Sequence, residues 1–292
     1  MKLTVEQIAL LPAARDVAFY REHGYWVSPP CLSADEIEAG RFGAERYYAG
    51  ERDSPLGIDT GTDWTEEDGE VLRQNDYVTL QIDELRELGH HPLLAAMAAR
   101  LCGSGEVRLF HDQLIYKPAG AAPGDSIVGW HTDRAYWGTC SSDSMLTAWI
   151  PFQDLTPEMG PLAVIDGSHL WTGNDHLRTF HNPDLQALEA LIRRGPTPGE
   201  VVPLTMQRGQ VSFHHCRTIH ASFPNTSATP RLAFAIHMQD GANHYQKSYD
   251  ASGKLVTHIN DILCTRDATG DPDYRDPAIC PVLWSGELPP LA

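Results

Sequence analysis

From Glu106 onward the chain breaks into short runs of strand length separated by Gly, Pro, Asn and Asp, a spacing that fits a sandwich or barrel of antiparallel strands. The run Arg231 to Gln239 is the clearest. Leu232, Phe234, Ile236 and Met238 alternate with Arg231, Ala233, Ala235 and His237, so one face of the strand is bulky and apolar. The other face begins with a guanidinium and continues with two alanines, which leave room beside the charge for something the chain does not supply. With 292 residues, 42% of them apolar, the chain can bury one large core. We expect a single domain over 1–292, with helical support in 1–50, a barrel core in about 106–240 and a C-terminal extension in 241–292.

The first fifty residues read as helical. Thr4 with Gln7 and Ser33 with Glu36 have capping-box spacing, which satisfies two orphan donors at a helix start reciprocally. Between them a helix ends at Gly24, and Tyr25-Trp26-Val27 reads as the first strand, because aromatic and β-branched residues suit a pleated surface. Residues 49 to 76 are rich in Asp, Glu and Gly, the signature of a solvated loop or an active-site lid. Pro92 and Gly103 bracket a helix through Leu93, Leu94, Met97 and Leu101. A second bracketed helix is opened by Asn182-Pro183, carries Leu185, Leu188 and Ile192 as its stripe, and is closed by Arg193-Arg194-Gly195.

A formal charge of −17 repels a phosphate backbone, and no cluster of Lys and Arg interleaved with aromatics relieves it. Nucleic acid is excluded as an expected partner. The six cysteines lack C-x-x-C spacing, so neither a zinc knuckle nor a disulfide framework is indicated, and reduced thiols in a cytoplasm fit. No run approaches the roughly 18 to 20 apolar residues of a membrane span, and the N-terminus lacks a basic segment followed by an apolar core. The expectation is a cytoplasmic protein without a membrane partner, whose oligomeric state is left open.

Trp130-His131-Thr132-Asp133 places an imidazole and a carboxylate two residues apart, so in extended backbone both project to one side and can share a metal. His220 in Thr218-Ile219-His220-Ala221-Ser222 supplies a third ligand. Two histidines and one carboxylate on one face of an octahedron leave three positions open, the arrangement by which non-haem iron(II) takes a bidentate cosubstrate and dioxygen. Arg231 follows His220 by eleven residues at the head of the alternating strand. Its planar fork grips a carboxylate bidentately and suits the distal end of 2-oxoglutarate. Ser222 shares strand parity with His220 and can bond the same carboxylate.

Four segments carry a resemblance to a known family: FYREHGYWV; HDQLIYKP followed by GWHTD; WIPFQDLTPEMGPLAVIDGSH; and FHHCRTIHASFPNTSATPRLAFAIHMQ. In these the chain resembles the phytanoyl-CoA dioxygenase family of Fe(II)/2-oxoglutarate-dependent oxygenases. The resemblance implies a mainly β fold, a double-stranded β-helix or jelly-roll barrel of cupin-like type with flanking α-helices. It also implies that His131, Asp133 and His220 hold iron and that Arg231 and Ser222 hold the 2-oxoglutarate carboxylate. Fe(II) would be the cofactor, with 2-oxoglutarate and O2 as cosubstrates.

Strand alternation in HDQLIYKP puts His111, Gln113, Ile115 and Lys117 on one face. Because the resemblance implies that this strand lines the pocket, Gln113 is assigned to cosubstrate or substrate contact, with satisfaction of a neighbouring backbone group as the alternative, and Thr147 is a similar candidate. His214 and His215 are read as core histidines or as partners of the metal ligands, and His169 as structural. Tyr136 and Trp137 are read either as a wall of the substrate pocket or as core.

The implied reaction is oxidation, most simply hydroxylation, of a C–H bond in a small-molecule or natural-product substrate with release of succinate and CO2. Two alternatives are a non-oxidative cupin-type metal enzyme and a non-catalytic 2-oxoglutarate- or metal-binding sensor. Arg231 and Ser222 argue against the first. Substrate identity is not contained in fold membership.

Overall fold

The computed structural model describes residues 2–60, 64–120, 126–179, 182, 184–193, 199–250 and 252–291. The N-terminal helices form where their caps are written. Helices α1 (Val5–Ala9), α2 (Ala14–His23) and α3 (Ala34–Tyr48) precede or flank the short strand β1 (Tyr25–Val27). Both capping boxes are closed; at α3 the Glu36 N–H donates to Ser33 Oγ at 3.2 Å and the Ser33 N–H donates to Glu36 Oε2 at 2.7 Å. Gly24 ends α2 at φ 79°. A side chain there would lie 2.3 Å from His169 Nδ1, so both the left-handed turn and the close packing require glycine.

Within 49–76, expected as a loop or lid, Arg73–Asp76 forms strand β2, although Arg-Gln-Asn-Asp has little intrinsic β preference. Pairing with the edge of β3 (Glu106–Lys117) supplies what the local sequence does not. Helices α4 (Asp83–Gly89) and α5 (Pro92–Cys102) follow β2. The second is alanine-rich and buried almost all round, which lets it lie close against the sheet. The remaining strands are β4 (Val128–His131), β5 (Leu146–Pro151), β6 (Leu162–Ile165), β7 (Val201–Pro203), β8 (Ser212–His215), β9 (His220–Ser222), β10 (Arg231–Asp240) and β11 (Val282–Ser285). Helix α6 (Leu185–Arg193) lies where the second bracketed helix was expected; the placement of Pro183, Arg194 and Gly195 and the side chain of Ile192 lie outside the described residues. A short helix α7 (Asn260–Leu263) falls in the C-terminal extension.

Among the described residues two antiparallel sheets face each other, as in a double-stranded β-helix. The larger has the order β1-β8-β5-β10-β3-β11 with β2 also on β3, and the smaller the order β4-β9-β6-β7. The alternation in β10 decides the layering. Phe234, Ile236 and Met238 join the core formed with α3, α4 and α5, each fully buried side chain contributing on the order of 1.5–3 kcal/mol. Ala233 and Ala235 turn the other way, into a cluster with Ile115, Trp149, Leu162 and Val164 between the sheets. Trp130, Ile165 and Ala221 of the smaller sheet pack outward with Leu185 of α6. The space between the sheets is therefore walled by small residues on β10, and there the polar residues collect. No described helix is long and apolar enough to cross a membrane, and all six cysteines are free thiols.

Candidate metal and cosubstrate site

Register places the polar residues of the larger sheet in one row. His111 on β3 lies opposite His237 on β10, His237 opposite Thr147 on β5, and Thr147 opposite His214 on β8. The next row runs Gln113, Ala235, Trp149, Ser212, and Lys117 pairs with Arg231 at the far end. A β-bulge at Phe110 brings His111 face to face with His237, ring centroids 5.1 Å apart and 17° from parallel. On the smaller sheet His131 lies opposite His220.

His131, Asp133 and His220 each offer one ligand atom, all within 4.8 Å of one another and all buried. The His131 Nδ1 lies 2.8 Å from Gly129 O and the His220 Nδ1 2.9 Å from Thr218 O. A carbonyl can only accept, so each ring carries its proton on Nδ1 and turns an Nε2 lone pair inward. These Nε2 atoms stand 3.9 and 3.5 Å from Asp133 Oδ1. Burial pushes the Asp133 carboxyl up, but the surrounding imidazoles of His220, His214 and His237 hold it well below the usual carboxylate range. Burial and the neighbouring rings of His131 and His214 push His220 well below its ordinary value, keeping it neutral. Two inward lone pairs around an ionised carboxylate, with no proton to share, form a donor set for a divalent cation. The residues present fit iron(II).

Asp133 is oriented from behind. Its Oδ2 accepts from the Thr147 hydroxyl at 2.6 Å and lies 3.3 Å from His214 Nε2. Thr147 Oγ1 is also 2.7 Å from His237 Nδ1; because the hydroxyl proton goes to Asp133, His237 must donate here from Nδ1. The Thr147 side chain lines the recess as expected, and its hydroxyl is committed to the carboxylate of a candidate ligand. His214 is buried beside Asp133, but neither of its ring nitrogens makes a hydrogen bond among the described residues. His215 accepts from the Arg217 N–H at 3.1 Å and His169 bonds Arg21 O at 3.1 Å, the structural contacts expected of both.

Beyond the triad an inner recess between the sheets is lined by Gln113, Thr147, Trp149, Ser222 and Arg231 together with the three candidate ligands. Arg231 is 1% exposed. One Nη1 donates to Gly160 O at 2.7 Å, and its Nε is buried without a partner. Gly160 has φ 60°, and a side chain there would lie 2.1 Å from Phe223 O, so only glycine brings that carbonyl under the guanidinium. Among the described residues no carboxylate pairs with Arg231, and burial brings it down to about 9. Lys117, unassigned from the sequence, is buried beside it and donates to the carbonyls of Ser222 and Phe223 at 3.1 and 2.6 Å. Burial, with Arg231 alongside, pushes its ammonium well below the ordinary value. A buried guanidinium with an unspent donor at the end of a recess has the chemistry to take a carboxylate. The signal for Lys117 lay in its strand parity with Gln113.

Outside the triad a wider cavity of about 690 Å³ opens to solvent. Tyr136 and Trp137 line it, as do Trp64 and Leu72 from the 49–76 segment and Thr257 to Ile259 from the C-terminal extension. Gln113 lines both spaces and donates to Asp76 Oδ1 at 2.8 Å.

The family model for phytanoyl-CoA dioxygenase (PhyH) matches residues 20–233. The ectoine dioxygenase of Sphingopyxis alaskensis is 29% identical over 244 residues, covering 77% of this chain and 75% of that protein. A Stutzerimonas stutzeri protein described as "Probable alpha-ketoglutarate-dependent hypophosphite dioxygenase" is 30% identical over 172 residues, covering 57% of this chain and 56% of its own length. The crystal structure of the epimerase SnoN in complex with Fe3+, alpha ketoglutarate and nogalamycin RO superposes with a TM-score of 0.64 at 25% identity, covering 92% of this chain and 97% of that one. A family model that spans most of the barrel and both ends of the candidate site leaves one assignment: the chain belongs to the phytanoyl-CoA dioxygenase (PhyH) family of iron- and 2-oxoglutarate-dependent oxygenases.

Proposed function

We propose that this protein oxidises a C–H bond of a small-molecule substrate, most simply to an alcohol, with 2-oxoglutarate converted to succinate and CO2. The observation that carries the reading is the pairing, within one recess, of a two-histidine, one-carboxylate donor set with a buried arginine that has no carboxylate partner among the described residues. Iron(II) with 2-oxoglutarate, when bound, supplies the oxidising power drawn from dioxygen. His131, Asp133 and His220 would hold the metal, Thr147 would fix the rotamer of Asp133, and Arg231 with Ser222 would orient the cosubstrate through its distal carboxylate. The low-dielectric recess excludes water from these contacts and strengthens them.

A non-oxidative metal enzyme has no use for the Arg231 and Lys117 end of the recess. A pure sensor has no use for a cavity of about 690 Å³ beside the triad, a size ordinary for small-molecule sites. The same reading takes 1–292 as one cytoplasmic catalytic unit, with the C-terminal extension closing the cavity. The test is to load the protein anaerobically with iron(II) and 2-oxoglutarate, look for the weak visible charge-transfer band of that chelate, then admit oxygen and measure succinate with candidate substrates. His131→Ala and His220→Ala abolish the band; full iron binding and an unchanged band in both variants overturn the assignment. With chloride present the product carries oxygen or unsaturation and never chlorine, because Asp133 occupies the position a halide would need.

A further inference from the structure

The outer cavity contains a second group of ionisable side chains that the reading above does not use. Asp76 on β2 and His111 on β3 face each other at 3.2 Å between Asp76 Oδ1 and His111 Nε2, with side chains 11% and 8% exposed. Gln113 braces the same carboxylate oxygen at 2.8 Å. Burial opposes charge on both, yet each partner shifts the other, holding Asp76 low and raising His111, so the pairing favours their charged forms. With Nε2 turned to Asp76, the Nδ1 of His111 is the nitrogen left for a ligand.

His258 stands across from this pair, its ring edge-on to His111 at 5.5 Å and stacked on Phe110 at 4.7 Å. Its Nδ1 accepts from the Asn260 N–H at 3.2 Å. Burial pushes His258 down to about 3, so the ring is neutral and its single proton sits on Nε2, a donor. Asn260 fixes this arrangement by accepting from the Tyr77 hydroxyl at 2.6 Å and donating to Phe110 O at 2.6 Å. Tyr77, at φ 56°, is the one non-glycine residue with positive φ among those described. Strain of this kind, held by tertiary bonds next to a cavity, marks a segment built to present a neighbour, here Asp76.

His111 and His258 thus both line this cavity with a ring nitrogen not engaged by the protein contacts above, a pattern suited to an oxygen acceptor. The walls around it fit a ring. Trp64, Tyr77, Tyr136 and Trp137 contribute aromatic faces, whereas Val71, Leu72 and Ile259 are the aliphatic side chains among the described lining residues. An extended acyl chain would find little aliphatic surface here. The anchor is close to the chemistry: His111 stacks on His237, whose Nδ1 bonds the Thr147 hydroxyl that holds Asp133. Moreover His258 lies beyond the residues 20–233 that the family model matches.

We propose that Asp76, His111 and His258 form the substrate-anchoring site, and that the substrate is an oxygenated ring compound whose carboxylate, phenol or ketone oxygen is held there beside the metal site. This rests on the iron and 2-oxoglutarate reading and specifies its substrate class. The experiment uses the protein loaded anaerobically with iron(II) and 2-oxoglutarate, and equilibrium dialysis of 1-naphthoate, 1-naphthol, naphthalene and octanoate. Naphthoate and naphthol bind at least tenfold more tightly than naphthalene and octanoate. In His111→Phe and His258→Phe that preference disappears while the visible band persists, and His258→Gln, which keeps an N–H donor, retains it. Equal binding of the four probes, tightest binding of octanoate, no binding of any probe, or an undiminished preference in both Phe variants overturns the proposal. Absence of the band from the unsubstituted protein overturns the underlying reading instead, so the two failures are distinguishable.

Discussion

Replacing Arg231 by Met should separate two effects that usually run together, because this side chain costs stability in the empty protein and supplies affinity in the loaded one. The guanidinium is 1% exposed, and burial brings it down to about 9. A base whose folded value lies below its unfolded one is penalised while charged, so at pH 7 the fold carries the whole penalty. Taken from about 12.5 to about 9, at 1.36 kcal/mol per unit, it is on the order of 4–5 kcal/mol. The substitution also strands Gly160 O, which now accepts from Nη1 at 2.7 Å; a buried unsatisfied carbonyl costs about 1–3 kcal/mol. The balance favours the variant, so Arg231→Met without cosubstrate unfolds at no lower urea concentration than the parent. With cosubstrate the sign reverses. Losing one partner of a buried charge pair costs about 3–5 kcal/mol, which is roughly a hundredfold to a few thousandfold in affinity. Anaerobic titration of the iron(II) protein with 2-oxoglutarate reads the affinity directly. Urea melts give an independent check: at about 100 times the parent Kd the ligand stabilises the parent by about 2.7 kcal/mol, and a hundredfold weaker variant by only about 0.4 kcal/mol. Iron affinity stays near the parent value. An unchanged 2-oxoglutarate affinity in the folded variant refutes the reasoning.

Thr147→Val removes the 2.6 Å bond to Asp133 Oδ2 and should weaken iron about 10–100-fold, while Thr147→Ser restores most of it; equilibrium metal titration decides. Asp112 is fully buried under Thr79, and burial raises its carboxyl to about 6. An acid raised in the fold is penalised once ionised, so the loss begins above its unfolded value, grows through pH 4–6 and reaches about 3 kcal/mol by pH 7. Asp112→Asn is therefore more stable than the parent at pH 7.5 by urea melts, with a margin that shrinks toward pH 5; a margin that stays constant counts against this account. Arg73 lies 3.5 Å from the Trp64 ring and 4.1 Å from that of Tyr116, and pairs with Glu70 at 3.0 Å. Desolvated cation–π contacts are worth about 2 kcal/mol, so Arg73→Ala should speed limited proteolysis between Trp64 and Val71, and an unchanged cleavage rate would show that Arg73 does not pin this wall of the cavity.

Much of the candidate site was legible because it is local in sequence. His131 and Asp133 are two residues apart, the first ending β4 and the second opening the turn that follows, Ser222 shares parity with His220, and the alternation of β10 separates the Arg231 face from the core face by period alone. The helix starts at Thr4 and Ser33 were legible for the same reason: their partners are three residues away. What tertiary structure decided is everything that depends on pairing between distant segments. Arg73–Asp76 has no intrinsic reason to be a strand and becomes one on the edge of β3. The hydroxyl of Thr147 is spent on a carboxylate fourteen residues away, and Lys117 lies beside Arg231 only because register sets the two strands against each other. His258 meets His111 across 147 positions of sequence. Side-chain period states which way a residue points along its own strand, but the partner it meets is set by register and by the energy of burying polar groups together, which no single segment contains.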